Sequence, residues 1–188
     1  ETEVKNVFKN IIDKFKSIDI SVFCTGMHDP DAEKKLSSEK IREIMETNFF
    51  GTLNCVMAVN TYFREKKNGH ISIVSSVAGY RGLPAASGYC ASKSALISLA
   101  ESLYFDFKRY NVRVSVINPG FIKTPMTDKN KFPMPMIKSA EFAAEKMFIG
   151  LTKKNAFEIH FPIVFTMLMK LLKIIPNWLY FLLVKKGM

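Results

Sequence analysis

An α/β fold, with helices on both faces of a doubly wound parallel sheet, is predicted by three observations. Short runs rich in β-branched residues alternate with longer segments whose apolar residues recur at helical spacing. That strand–helix–strand order suits parallel pairing, in which each crossover helix packs back on the sheet. The composition, 48% hydrophobic and 23% charged over 188 residues, suits one globular domain, without repeats or low-complexity tracts.

Residues 1–16 read as an amphipathic helix with Val4, Val7, Phe8, Ile11, Ile12 and Phe15 on its apolar stripe. Ile20–Phe23 is a short strand that runs into Cys24-Thr25-Gly26; Gly26 suits a close backbone approach, and Cys24 is expected as a small buried filler. A helix capped by Ser37 or Ser38 should continue to about Lys66, with Ile41, Ile44, Phe49, Leu53 and Val56 inward. Asn48 and Gly51 oppose helix formation inside it, the glycine by about 1 kcal/mol relative to alanine. Such a cost marks Asn48 either as functional or as a merely exposed polar residue.

Asn68-Gly69 precedes a buried strand ending at Ser76, followed by a loop over 77–87. From about Gly88 to Arg109 the spacing of Ala91, Ala95, Leu96, Leu99, Leu103 and Phe107 predicts a long helix. Val112–Asn118 is a strand, 140–153 a helix and 156–161 a final short strand. Between Gly120 and Ser139, Pro125, Pro133 and Pro135 break regular structure, so the stretch reads as a lid or as a core-packed loop. Its methionines and phenylalanines suit an apolar ligand.

Residues 1–161 form the predicted domain, and 162–188 a helical, apolar extension of it. Pro176 divides that tail into two helices, the second beginning at Asn177, and Lys170 and Lys173 interrupt it too often for a bilayer span of around 20 apolar residues. Covering a cleft or a partner subunit is favoured for 163–188 over peripheral contact with a membrane, which Trp178 and the lysines leave open. The formal charge of +10 favours anionic partners, but no nucleic-acid motif accompanies it and the lysines are spread along helices, so nucleic acid is not expected. Cys24, Cys55 and Cys90 lack disulfide or zinc spacing and His28, His70 and His160 are scattered, which points to a reducing, cytoplasmic setting and no metal.

Tyr89 and Lys93 carry the chemistry. Tyr62/Lys66 and Tyr104/Lys108 share their spacing, so context must choose between the pairs. Thirteen residues before Tyr89 stands Ser76 at a strand end; before the other tyrosines stand Phe49 and Ala91. Tyr89 and Lys93, at i and i+4, share one side of the first turns of a helix. In an open α/β sheet, ligands bind beyond the carboxyl ends of the strands, where Ser76 and Tyr89 meet. A hydroxyl there stabilises charge developing on a substrate oxygen, and a nearby cation favours the phenolate of a tyrosine whose usual pKa is about 10.

With Asn48, Ser76, Tyr89, Lys93 and Pro119-Gly120 in that order, the chain resembles the classical short-chain dehydrogenase/reductase family over residues 1 to about 160. The resemblance implies the carboxyl-terminal part of a Rossmann-like fold and hydride transfer between NAD or NADP and a secondary alcohol or ketone. It implies Tyr89 as general acid/base, Ser76 as orienter of the substrate oxygen, and Lys93 as the group that lowers the tyrosine pKa and binds the nicotinamide ribose. Asn48 would hold a water of the proton relay; Gly26, Pro119 and Gly120 would approach the cofactor, with Ile122 and Thr124 at its carboxamide. A homodimer or homotetramer through helices 38–66 and 88–109 is implied as well.

Two departures stand against the pattern. Phe23-Cys24-Thr25-Gly26 replaces an expected Asn-Asn-Ala-Gly, and the Gly-x-x-x-Gly-x-Gly turn is not found, so the resemblance places three strands, two helices and the pyrophosphate site upstream of Glu1. The alternative is a cofactor-free interaction or membrane-peripheral module that keeps the fold without its chemistry.

Overall fold

A computed structural model describes residues 1–186; Gly187 and Met188, the end of the predicted tail, lie outside the described residues. Four parallel strands, β1 (Ile20–Phe23), β2 (Gly69–Val74), β3 (Val112–Pro119) and β4 (Glu158–Phe161), lie side by side in chain order. The register sets Phe23 beside Ile73, Val74 beside Ile117, and Asn118 beside His160. All strands run the same way, so every strand's carboxyl end reaches the same edge of the sheet.

Side-chain alternation assigns the two faces. Ile71, Ile73, Val112, Val114 and Val116 point to one core, with Val56, Val59 and Phe63 of α4 (Gly51–Lys66) and Leu96, Ala100 and Phe107 of α5 (Ser87–Lys108). Val74, Ile117, Ile159 and Phe161 point the other way, onto Ala143 and Leu151 of α6 (Ala140–Thr152). Helices therefore cover both faces, as the doubly wound prediction requires. On the first face lies α1 (Thr2–Phe15), whose Phe8 meets Tyr62 edge-on at 5.6 Å. Its predicted stripe is not buried: Val7, Ile11 and Phe15 are exposed, as are Ile20 and Val22 on β1, one of the two edge strands.

Several boundaries differ from expectation for local reasons. β2 stops at Val74, and the next residue only continues the ladder by donating its N–H to the Ile117 carbonyl (2.8 Å). Asp29 caps an unpredicted α2 (Pro30–Lys34) by accepting from the Ala32 N–H, with Pro30 in the first turn, where its missing N–H costs nothing. The expected helix over 38–66 is divided into α3 (Ser38–Met45), capped by Ser37, one of the two expected candidates, and α4, by a wide turn of π type at Glu46–Phe50. Asn48 lies inside that turn and is buried. Pi turns inside helices are frequent at functional sites.

Pro176 separates α7 (Ile163–Ile174) from α8 (Asn177–Lys186), as predicted. Arg81, from the loop after β2, fastens the elbow between them. Its guanidinium donates to the carbonyls of Leu172 and Ile175 and to the Asn177 side chain, and stacks 4.1 Å above the Tyr180 ring. The end of α7 thereby gains the cation and donors that its unpaired carbonyls need.

The sheet also buries a polar string in which His70 Nε2 meets Ser115 Oγ (2.8 Å) and Ser115 donates to Ser72 Oγ (3.0 Å). Burial, aided by Arg113, pulls His70 down to about 4. The unfolded chain takes up this proton at about 6.5, and the folded chain refuses it until about 4, so stability is complete above 6.5 and falls as pH drops toward 4. Urea denaturation is expected to show a loss of up to about 3 kcal/mol from this group over that range, most of which His70→Gln should remove.

Candidate active site

The carboxyl edge of the sheet gathers three chain segments: 24–26 after β1, Ser75 and Ser76 after β2, and Asn118 to Gly120 at the end of β3. The exit from β2 is tied to α5 by two hydroxyls. Ser75 donates to the Lys93 carbonyl (2.7 Å), and Ser94 to the Gly79 carbonyl (2.8 Å). Ser76 accepts from the Ala78 N–H (3.1 Å), which fixes its hydroxyl at the start of a tight turn over Val77–Gly79.

Tyr89 and Lys93 project from the first two turns of α5, Lys93 buried and Tyr89 partly so. The ammonium lies 5.8 Å from the Tyr89 ring centroid and donates one hydrogen bond, to the Val74 carbonyl (3.1 Å). A lysine ammonium has three donors, so two remain available to a ligand. Burial pulls Lys93 down to about 8. Burial also pushes the Tyr89 phenol up to about 12, the Ser76 hydroxyl acting the other way. The resemblance implies a tyrosine lowered by its lysine; in the protein alone, burial outweighs the Ser76 hydrogen bond, which acts in that same direction.

Gly26 faces this pair. A Cβ there would stand 3.2 Å from Lys93 Nζ and 3.7 Å from Asn48 Oδ1, so the glycine leaves the ammonium uncovered. Asn48 holds the glycine's loop in place: its Oδ1 accepts from the Met27 N–H (2.7 Å), and its Nδ2 donates to the Met27 carbonyl (3.0 Å) and to Ser92 Oγ (2.9 Å). With these bonds its amide serves as a clamp between three elements. Cys24, expected to be buried, is exposed, because the chain leaves the sheet after Phe23 and this end of β1 is uncovered among the described residues.

Pro119 and Gly120 continue β3 next to this group, and Gly120 donates its N–H to the Phe161 carbonyl (2.7 Å). A Cβ on Gly120 would meet the Phe165 ring at 2.7 Å, so only glycine passes there. Ile122 and Thr124 lie farther along, knotted to Thr127, whose hydroxyl donates to the Ile122 carbonyl (2.7 Å) and accepts from the Thr124 N–H (2.9 Å). Thr124 borders a surface cleft of about 310 Å³ that touches neither Tyr89 nor Lys93. The structure thus unites Gly26, Asn48, Ser76, Tyr89 and Lys93, sets Pro119 and Gly120 on the neighbouring strand end, and leaves Ile122 and Thr124 outside direct contact.

Sequence reasoning missed Glu33 and His28. The buried Glu33 carboxylate accepts the N–H groups of Gly88 (2.6 Å) and Tyr89 (3.1 Å) through Oε2, and meets His28 Nδ1 (2.8 Å) through Oε1. Ala86, the residue before α5, supplies no side-chain cap, and this distant carboxylate takes its place at the positive end of the helix. The His28 ring then lies against the Tyr89 ring, centroids 4.6 Å apart and tilted by 36°. Glu33 sits 55 residues from Gly88, so no local pattern announces the cap.

The sequence model of the short chain dehydrogenase family matches residues 1–133. The chain belongs to that family. It is 37% identical over 163 residues to an uncharacterized oxidoreductase of Myxococcus xanthus, covering 87% of this chain and 64% of that protein. A 3-oxoacyl-[acyl-carrier-protein] reductase of Thermotoga maritima is 32% identical over 127 residues, covering 68% of this chain and 52% of that protein. The chain therefore spans between about half and two thirds of the length of these relatives. The crystal structure of a short chain dehydrogenase from Mycobacterium paratuberculosis bound to NAD superposes with a TM-score of 0.73 at 25% identity, over 85% of this chain and 68% of that one.

Removing the Glu33 carboxylate leaves two helix N–H groups unpaired in the interior. Glu33→Ala should cost about 2–4 kcal/mol in urea denaturation, whereas Glu33→Gln, which keeps an acceptor oxygen, should lose less.

Proposed function

We propose that this chain carries the catalytic residues of an NAD- or NADP-dependent oxidoreductase acting on a ketone or secondary alcohol. The observation that carries this reading is the buried Lys93 ammonium, with one hydrogen-bond partner among the described residues, beside a Tyr89 phenol that the Ser76 hydroxyl adjoins. Lys93's free donors and the space left by Gly26 fit the hydroxyl groups of a cofactor ribose. When bound there, the nicotinamide supplies or accepts the hydride.

The remaining work falls to this chain. Ser76 orients the substrate oxygen by donating a hydrogen bond that strengthens as negative charge grows on it. Tyr89 transfers its proton to that oxygen as the carbonyl is reduced, or takes it back in the reverse direction. A phenol at about 12 keeps its proton at neutral pH and so has one to donate. Lys93 limits the cost of the phenolate that follows, since a cation 5.8 Å from the ring centroid stabilises negative charge in a poorly solvated site.

A hydrophobic substrate fits the loop after Gly120, where Phe132, Met136 and Ile137 are exposed, and fits the oxoacyl group named for the Thermotoga relative. Exposed Phe50, Met57 and Phe105 on the two long helical stretches support self-association through them.

In the intact protein, Tyr89→Phe should lower turnover of a ketone by about 10²–10⁴-fold and leave the fluorescence-titrated affinity for NADH or NADPH within about twofold, since Lys93 and Gly26 remain. Turnover at the original rate would refute the role given to Tyr89.

A further inference from the structure

One face of the carboxyl-terminal helices has no place in the site described above. On α7, Phe165, Thr166 and Met169 are buried against the domain, while Val164, Leu171 and Ile174 point outward, Ile174 being 77% exposed. On α8, Tyr180 is buried and Trp178 and Phe181 are 69% and 63% exposed. The apolar surface thus continues across the Pro176 elbow. It does not close over the chain's own cleft, since it faces away from the core that anchors it.

Charge identifies what would cover this face. Glu158 is the last acidic residue, and residues 159–188 contain Lys170, Lys173, Lys185 and Lys186. Lys170 is paired with Glu158, whereas Lys173 and Lys185 are exposed beside the apolar surface. A second copy laid on the same face would bring lysines against lysines with no carboxylate from either tail between them. An anionic lipid surface offers both hydrocarbon and compensating charge. The helices have 12 and 10 residues, roughly 18 and 15 Å at 1.5 Å per residue, against about 30 Å of bilayer hydrocarbon. No helix among the described residues is long and apolar enough to cross a membrane. They are suited to lying in the interface, with a tryptophan at headgroup depth.

We infer that the outer face of α7 and α8 docks on the surface of an anionic lipid bilayer. The docked elbow is fastened to the catalytic loop. Arg81, between Ser76 and Tyr89 in sequence, holds the elbow carbonyls, and Tyr180 donates its hydroxyl to the Gly82 carbonyl. On the same helix pair, Phe165 packs on Phe121 (5.5 Å between ring centroids), next to Gly120. Docking therefore ties both loops of the candidate active site to the helices that rest on the lipid. Resting on the oxidoreductase reading, this adds a substrate class: an amphiphilic ketone or alcohol held in the bilayer.

Trp178 is the only tryptophan in the chain and lies within the face, so it reports docking directly. Vesicles of phosphatidylcholine and phosphatidylserine with brominated acyl chains should quench its emission, and phosphatidylcholine alone should bind at least about tenfold more weakly. Leu171→Glu with Phe181→Glu should weaken binding to the mixed vesicles at least about tenfold, while turnover of a small water-soluble ketone stays within about twofold. The exposed pair Lys173→Glu and Lys185→Glu, which leaves the apolar contacts intact, should lose the preference for anionic lipid. Absence of bromolipid quenching, or a Trp178 shift that follows protein concentration and a dimer in sedimentation velocity, would overturn the inference. Quenching without turnover of any ketone would leave docking standing and refute the oxidoreductase reading.

Discussion

Holding the Lys93 ammonium almost out of water is the constraint around which the rest of the site is organised. A pKa drawn from 10.5 to about 8 corresponds to a penalty of roughly 3 kcal/mol at neutral pH, a large share of the 5–15 kcal/mol that separates folded from unfolded domains. The ammonium tolerates that position because the Val74 carbonyl, freed at the end of β2, accepts one of its protons. It stays available to a ligand because Gly26 has no side chain to cover it, and Gly26 stays in position because Asn48 bonds both the N–H and the carbonyl of Met27. The π turn that admits Asn48 interrupts an otherwise regular helix to make this possible.

What offsets the penalty is the helix from which Lys93 projects. α5 buries Leu96, Ile97, Ala100 and Phe107 against β2 and β3, and its start is fixed by Glu33 and by the hydroxyls of Ser75 and Ser94. Tyr89 is oriented by the same device, since Glu33 bonds its N–H and positions the His28 ring beside its own. Stability invested in the helix is thus spent on a cation and a phenol that the interior does not favour. The same helix and its preceding loop reach the tail through Arg81, so the apolar face of α7 and α8 is mechanically part of the site.

Much of this was legible in the sequence because it follows local rules. The four strands, the break at Pro176 and the Ser37 cap come from periodicity and capping chemistry, and Ser76, Tyr89 and Lys93 come from their positions at a strand end and a helix start. Asn48 was legible as an anomaly, a helix breaker inside a helix, but the wide turn and the three bonds that explain it depend on residues 21 and 44 positions away. Glu33, His28 and Arg81 gave no signal, because an isolated charge looks the same whether it is solvated or serves as another helix's cap. Cys24 was misjudged because burial at a strand end depends on what lies across the sheet edge, which a periodicity of two does not report. For Tyr89, the neighbouring Lys93 is visible in sequence, and the loss of water that raises the phenol in the protein alone is not.

Isotope-edited NMR of the lysine side chains across pH, with Lys93→Arg to assign the signal, measures the central constraint without reference to substrate or cofactor. One lysine with a titration midpoint near 8 is the result that a buried ammonium beside Tyr89 requires. If every lysine titrates above about 10, Lys93 is solvated and the site described around it does not exist.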